Sequence, residues 1–332
     1  MVMKISYKIT NYISYILLCF LLSACASRIH IQNPLPPRSF NTFSRLSIEH
    51  IELSKSAGAE AAPYLNDVEF MVKEMGFEVV DRSKASLHLL IESRTEPLGA
   101  RYTSLEGNKN SYWYTGAESS GTITVQIPDS SPMKVMFDGI ERPGRFSLRS
   151  ATSNNEDPAS APFREAFRGT GGFYRAFYSI FYTRIPDERF TRISNYPLSE
   201  AREAFFRFCA QNDIRSAAPS LMEIMRAGHF YQNEIVLTLA RWRYEPVLDY
   251  ALMMTEHPPI FVSFEELLVV HETFQDKRSI PAIAEYMKKK DGGYPNAPYE
   301  GRDSGLKVLR SLVGQDLGND PRDYEQWYSE NQ

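Results

Sequence analysis

Few side chains in this sequence stand where chemistry would need them, and Cys25 is the first. It closes Leu22-Ser23-Ala24-Cys25, behind a short start that carries Lys4 and Lys8 without an acid, and behind an apolar run from Tyr12 to Leu22. A basic start, an apolar middle and small residues at a junction are the layout of a secretory signal. The run is too short to span a bilayer, which takes about 20 apolar residues. The other reading of this stretch is an ordinary secretory signal that happens to end at a cysteine. Of the three cysteines, Cys19 leaves with the signal, so Cys209 alone accompanies Cys25. Cys209 lies in Phe205-Phe206-Arg207-Phe208-Cys209-Ala210, the apolar side of a helix, where a buried inert thiol is expected.

The common enzyme signatures are missing. There is no Gly-x-Ser-x-Gly, His-Glu-x-x-His or Cys-x-x-Cys. The six histidines are scattered. Glu265 and Glu266 precede His271 on one helix without metal-ligand spacing, so no metal is expected there. Arg168-Gly169-Thr170-Gly171-Gly172 lacks the Lys-Ser/Thr of a phosphate-binding loop and reads as a joint between domains. The expectation is a protein with no catalytic residues, no metal and no cofactor.

Leu22-Ser23-Ala24-Cys25 resembles the lipobox of bacterial lipoproteins. That resemblance implies cleavage before Cys25, diacylation through its thiol and acylation of its new amino group. Ala26 rather than Asp at the next position implies, by the same resemblance, export to the outer membrane. Residues 1–24 are then the signal peptide, and 25–39 an acylated cysteine followed by a spacer in which Pro34, Pro36 and Pro37 favour an extended chain. The membrane is thus an expected partner, met through the N-terminal lipid on the periplasmic or the outer side.

The mature part has 37 less two, or 35, basic residues against 41 acidic, and no basic block that would track a phosphate backbone, so nucleic acid is excluded as a partner. An apolar content of 43% is enough for real cores. Two folded parts are expected. Residues 40–145 read as a small α+β domain: a strand over 43–53, a helix over 62–75 with Pro63 in its first turn and Gly76 just past its end, and strands over 77–80, 85–91, 121–127 and 134–140. A mostly antiparallel sheet with the helix on one face follows. The phrase from Asn66 to Val80 is similar to the small domains of lipoproteins related to the TolB amino-terminal fold. Residues 146–196 read as a linker, polar from Ser147 to Pro162, and then an aromatic helix. Phe173, Phe177 and Phe181 alternate there with Tyr174, Tyr178 and Tyr182 at spacings of four. This helix is expected as an interdomain wedge or as a partner-binding face.

Residues 197–332 read as all-helical, with helices near 198–211, 214–226, 231–242, 246–256, 263–274, 279–289, 303–313 and 321–329. A phrase recurs within them. Asp213-Ile214-Arg215-Ser216-Ala217-Ala218-Pro219-Ser220-Leu221 is echoed by Arg243-Tyr244-Glu245-Pro246-Val247-Leu248 and by Asp276-Lys277-Arg278-Ser279-Ile280-Pro281-Ala282-Ile283. These phrases, and the tail Gly314-Gln315-Asp316-Leu317-Gly318-Asn319-Asp320-Pro321 with Trp327, resemble HEAT-like helical repeats. The resemblance implies a solenoid with long free surfaces suited to scaffolding.

Two functions from different classes fit. One is a non-enzymatic scaffold for an envelope protein, with Arg241 and Arg243 on its partner surface. The other is an envelope-glycan binding module, in which Tyr112, Trp113 and Tyr114, on a loop over 102–114, form an aromatic platform for peptidoglycan or polysaccharide.

Overall fold

The computed structural model describes residues 29–53, 65–98, 101–105, 109–114, 116–141, 147–150, 172–195, 199–227, 232–255, 262–291 and 301–331. Cys25, the signal and the Gly-rich stretch at 168–171 lie outside them. The chain divides into two compact units, one ending at Phe208 and the other beginning at Cys209.

The first unit is built on a six-stranded mixed sheet in the order β1-β8-β7-β4-β2-β3. Its strands are β1 (Ile29–Gln32), β2 (Arg45–Glu52), β3 (Glu78–Val79), β4 (Leu87–Leu98), β7 (Gly116–Gln126) and β8 (Met133–Glu141). β2 runs parallel to β3 and β4, and the other pairings are antiparallel. Alternation sorts the faces, because successive strand residues point to opposite sides. Leu46, Leu87, Leu89, Ile91, Ile123, Val125, Val135 and Phe137 are buried on one of them.

Helices α1 (Leu65–Glu74) and α2 (Gly172–Phe181) supply much of the remaining core. Gly76 follows α1 at φ +84°, the left-handed geometry of a helix-ending glycine. Arg189, on the short α3 (Asp187–Thr191), donates to the Met75 carbonyl at 2.5 Å and lays its guanidinium over the Phe77 ring, so it caps α1 from outside.

The aromatic helix α2 has two working sides. Phe173 meets Phe137 of the sheet edge-on with ring centroids 5.9 Å apart, and Phe181 meets Phe40 and Phe77 at 5.7 and 5.8 Å. Tyr178 and Tyr182 face the other way, onto Phe190 and onto Phe208 of α4 (Ser199–Gln211). The division follows from chemistry. Phenyl rings fill the dry side, whereas a buried tyrosine needs a partner for its hydroxyl, and Tyr178 donates to the Ala201 carbonyl at 2.7 Å. Close approach of α2 to the sheet requires Gly172, where a Cβ would stand 2.7 Å from the Asp138 carbonyl oxygen. Within the sheet, a Cβ at Gly121 would run into the Glu92 carbonyl oxygen and stand 2.8 Å from the Phe137 ring.

Three expectations change here. The spacer is shorter than 25–39: Ile29–Gln32 pairs with β8, the Arg38 and Phe40 amides donate to the Thr183 and Arg184 carbonyls, and the Phe40 ring is fully buried. The stretch 146–196 is no simple linker. Its β9 (Ser147–Ser150) pairs with β6, and α2 and α3 belong to the core of the first unit. Nor is 102–114 a loop, because β5 (Arg101–Leu105), β6 (Lys109–Tyr114) and β9 form a separate three-stranded antiparallel sheet, with β6 in the middle.

The second unit is helical. Beyond the last residues of α4 it holds α5 (Ala218–Arg226), α6 (Gln232–Arg241), α7 (Pro246–Thr255), α8 (Phe264–Phe274), α9 (Ser279–Asp291), α10 (Arg302–Val313) and α11 (Pro321–Glu330). α8 packs against both α6 and α10, and α9 against both α7 and α11. Four joins between helices carry a left-handed residue: Asp213 after α4, Arg243 after α6, Gln275 after α8 and Gly314 after α10. Each following helix has a proline within its first three positions, namely Pro219, Pro246, Pro281 and Pro321. There the missing amide forfeits no helical bond. In the first three, the residue two places after the proline (Leu221, Leu248 and Ile283) is buried. The last turn before α11 is fastened by Asp316, whose Oδ1 accepts from Arg310 Nε at 2.8 Å and from the Gly318 amide at 2.9 Å. Tyr324 is fully buried beneath it.

Candidate functional site

Cys25 is the one predicted site with covalent chemistry, and it lies outside the described residues. Cys209 is inside them, fully buried, and burial pushes its thiol far above the ordinary cysteine range, so it is inert.

The aromatic face of α2 is not a partner surface. Phe173, Tyr174, Phe177, Tyr178 and Phe181 are fully buried and Tyr182 is partly so, against rings of the first unit. Their spacing marked a helix with two apolar sides, and the reading as a free face did not allow for a sheet on one side and α4 on the other.

Tyr112, Trp113 and Tyr114 stand in β6, where the register sets Tyr112 opposite Tyr102 on β5 and Trp113 opposite Arg101. Directly paired residues share a face and neighbours along the strand do not. Tyr102, Tyr112 and Tyr114 therefore belong to one face, and Trp113 to the other. The sequence could not show this division without the register.

Arg241 and Arg243 flank the end of α6 and are exposed. Arg241 Nη2 donates to the Ala210 carbonyl at 3.2 Å, which ties one helix end to another, while Arg243 is the left-handed joint itself at φ +54°. Elsewhere on the second unit lies a shallow groove of about 510 Å³ lined by Leu252, Arg278, Pro281, Ala282, Glu285 and Glu325. Met253 on α7 is 64% exposed, the most open of the large apolar side chains among the described residues.

Two polar constellations escaped the sequence reading, because their members are far apart in the chain. In the second unit His271 is fully buried, with Nε2 2.6 Å from Thr255 Oγ1 and Nδ1 2.7 Å from Ser279 Oγ. Thr255 Oγ1 donates to the Ala251 carbonyl, so it accepts from His271 Nε2–H, and Ser279 donates to the bare Nδ1. The imidazole is neutral, its pKa lowered to about 4 by burial, which outweighs the opposing pull of Asp276. It joins α7, α8 and α9 and is closed to any substrate.

In the first unit a cleft of about 1000 Å³ contains Ser47, whose Oγ is 2.8 Å from His88 Nδ1. Burial first, then Arg82, lowers the His88 pKa. A hydroxyl beside a neutral imidazole has the start of a nucleophile and base pair. No carboxylate backs that imidazole among the described residues, and two of the nearby cations are matched by acids: Arg45 with Glu78 at 3.2 Å and Arg82 with Glu49 at 3.4 Å. Among the described residues no group of three or more His, Cys, Asp or Glu could hold a metal ion, and no helix is long and apolar enough to cross a membrane.

No family model matches the chain, and no curated protein matches it at a significant level.

Proposed function

We propose that this chain is a lipid-anchored, non-enzymatic scaffold of the cell envelope, held in the outer membrane through Cys25, with a HEAT-like repeat in its second unit as the partner-binding part. The observation that carries the reading is the repeated join. Four times an α-helix ends on a left-handed residue and the next one starts with proline, and α6, α8 and α10 neighbour one another in sequence order as α7, α9 and α11 do. Stacking of that kind buries each unit only against the next and leaves helical surfaces free for partners. On the α7–α9–α11 side, the groove mixes the apolar Leu252, Pro281 and Ala282 with the charged Arg278, Glu285 and Glu325, a mixture compatible with an interaction patch.

The test is photo-crosslinking in living cells, with the crosslinker in place of Met253 or Ala282. One stoichiometric protein, captured from these positions and lost with Met253→Glu, supports the scaffold. Absence of any captured protein while both variants fold and localise normally rejects it.

The glycan alternative keeps one specific observation in its favour, the shared face of Tyr102, Tyr112 and Tyr114. It requires Tyr112→Ala to abolish retention on isolated sacculi. Because Trp113 belongs to the opposite face, Trp113→Ala is the informative control and should leave retention intact.

A further inference from the structure

The fold leaves almost no slack between the anchor and the first unit. Prolines at 34, 36 and 37 suggested a spacer, but they follow the first strand instead of preceding it. Ile29 is paired with Phe137 in the sheet, and the chain is fastened again where the Arg38 and Phe40 amides meet the Thr183 and Arg184 carbonyls. Between Cys25 and Ile29 there are four Cα-to-Cα steps. Whatever path they take, they reach at most about 14 Å. An acyl chain on Cys25 ends at the boundary between hydrocarbon and headgroups, and the headgroup layer of one leaflet takes up roughly 5 to 8 Å of that reach.

We propose that, resting on the anchor reading above, the β1 edge of the first unit lies on the lipid headgroups of the membrane that holds Cys25, as a membrane-apposed surface. Two further observations fit this occupant. From Cys25 to Ile48 the sequence contains Arg28, Arg38 and Arg45 and no Asp or Glu, in a protein whose net charge is negative, so this is the segment an anionic lipid surface would attract. In the described part of that segment, His30, Ile31, Pro34, Pro36, Pro37 and Arg38 are exposed, an apolar and cationic edge suited to the interface. Toward the opposite edge, the turn Arg82–Lys84 packs on β2, which is four strand spacings from β1 across the sheet, or about 19 Å.

The full acylated protein is reconstituted in vesicles of phosphatidylethanolamine and phosphatidylglycerol doped with a nickel-chelating lipid. A nitroxide is placed at His30→Cys or at Lys84→Cys, both exposed positions, while the buried Cys209 and the acylated Cys25 do not take the label. The expected result is relaxation by headgroup nickel several-fold stronger at position 30 than at 84. The mass of the N-terminal peptide reads the anchor separately. An acylated Cys25 with equal relaxation at the two positions overturns the apposed edge alone, and an unmodified Cys25 overturns the anchor reading and this one with it.

Discussion

His271 decides how the second unit answers acid. Its ring is fully buried between two hydroxyls, and the proton it would take up has no solvent to stabilise it. In the folded protein its pKa is lowered from 6.5 to about 4, so between those values the unfolded chain binds a proton that the folded one refuses. Stability therefore falls as pH drops from 6.5 toward 4, by at most about 3 kcal/mol from this residue, and it levels off below 4, where both states are protonated. His271→Gln should be less stable at pH 7, since Thr255 and Ser279 lose a matched partner, yet its urea midpoint should change less between pH 7 and 4.5. An unchanged pH response in that variant would show that His271 is not the acid-sensitive group. The same scale separates the two kinds of ring on α2. Tyr178→Phe keeps the packing but removes the hydroxyl's bond to the Ala201 carbonyl, which should cost about 0.5 to 1.5 kcal/mol in denaturant unfolding. A neutral result would mean that this bond adds nothing beyond the packing.

At the scale of elements, α2 is a two-sided core helix, and Gly121 keeps room in the sheet for a ring that it packs on. The strand residue opposite Gly121 on β8 is Phe137, whose ring meets Phe173. Gly121→Val should push that ring aside and lose native near-ultraviolet dichroism. Phe177→Ala, which empties a fully buried site, should cost about 3 to 5 kcal/mol. If Gly121→Val unfolds at the wild-type denaturant midpoint, the close approach is not what the glycine is for. The legibility of these elements in the sequence tracks how local their signals are. The helices of the second unit were readable nearly to the residue, because proline starts, charged turns and 3.6-residue spacing all lie within the segment itself. β4 was under-read at 85–91 against Leu87–Leu98, since its far half carries Ser93 and Thr95 as buried polar residues. β1 was missed altogether. Four residues beside three prolines carry no pattern, and their pairing with β8 is set by residues about a hundred positions away. The two-sided burial of α2 was hidden for the same reason, as was the split of Tyr112 and Trp113 between faces: each depends on which strand or helix lies alongside.

For the whole molecule the proposal above turns on a lipid at Cys25. One acyl chain holds a protein to a bilayer only marginally, since each buried CH₂ contributes about 0.8 kcal/mol against the cost of immobilisation, whereas two or more chains make the attachment stable. A diacylated thiol with a third chain on the amino group would thus leave no measurable free population, and neither unit needs a membrane-crossing helix of its own. If that proposal holds, Cys25→Ala removes the attachment at a position outside both described units. The variant should keep the circular dichroism and the urea midpoint of the wild-type folded part. It should collect as an unprocessed precursor or as a soluble periplasmic protein, in place of sedimenting with the outer membrane. The residual basic edge at Arg38 and His30 gives at most weak, salt-sensitive adhesion, so washing in high salt should release any remainder. If a processed Cys25→Ala protein instead stays with the outer membrane through that wash, the attachment is made by the folded units or a partner, and the lipid is not the anchor.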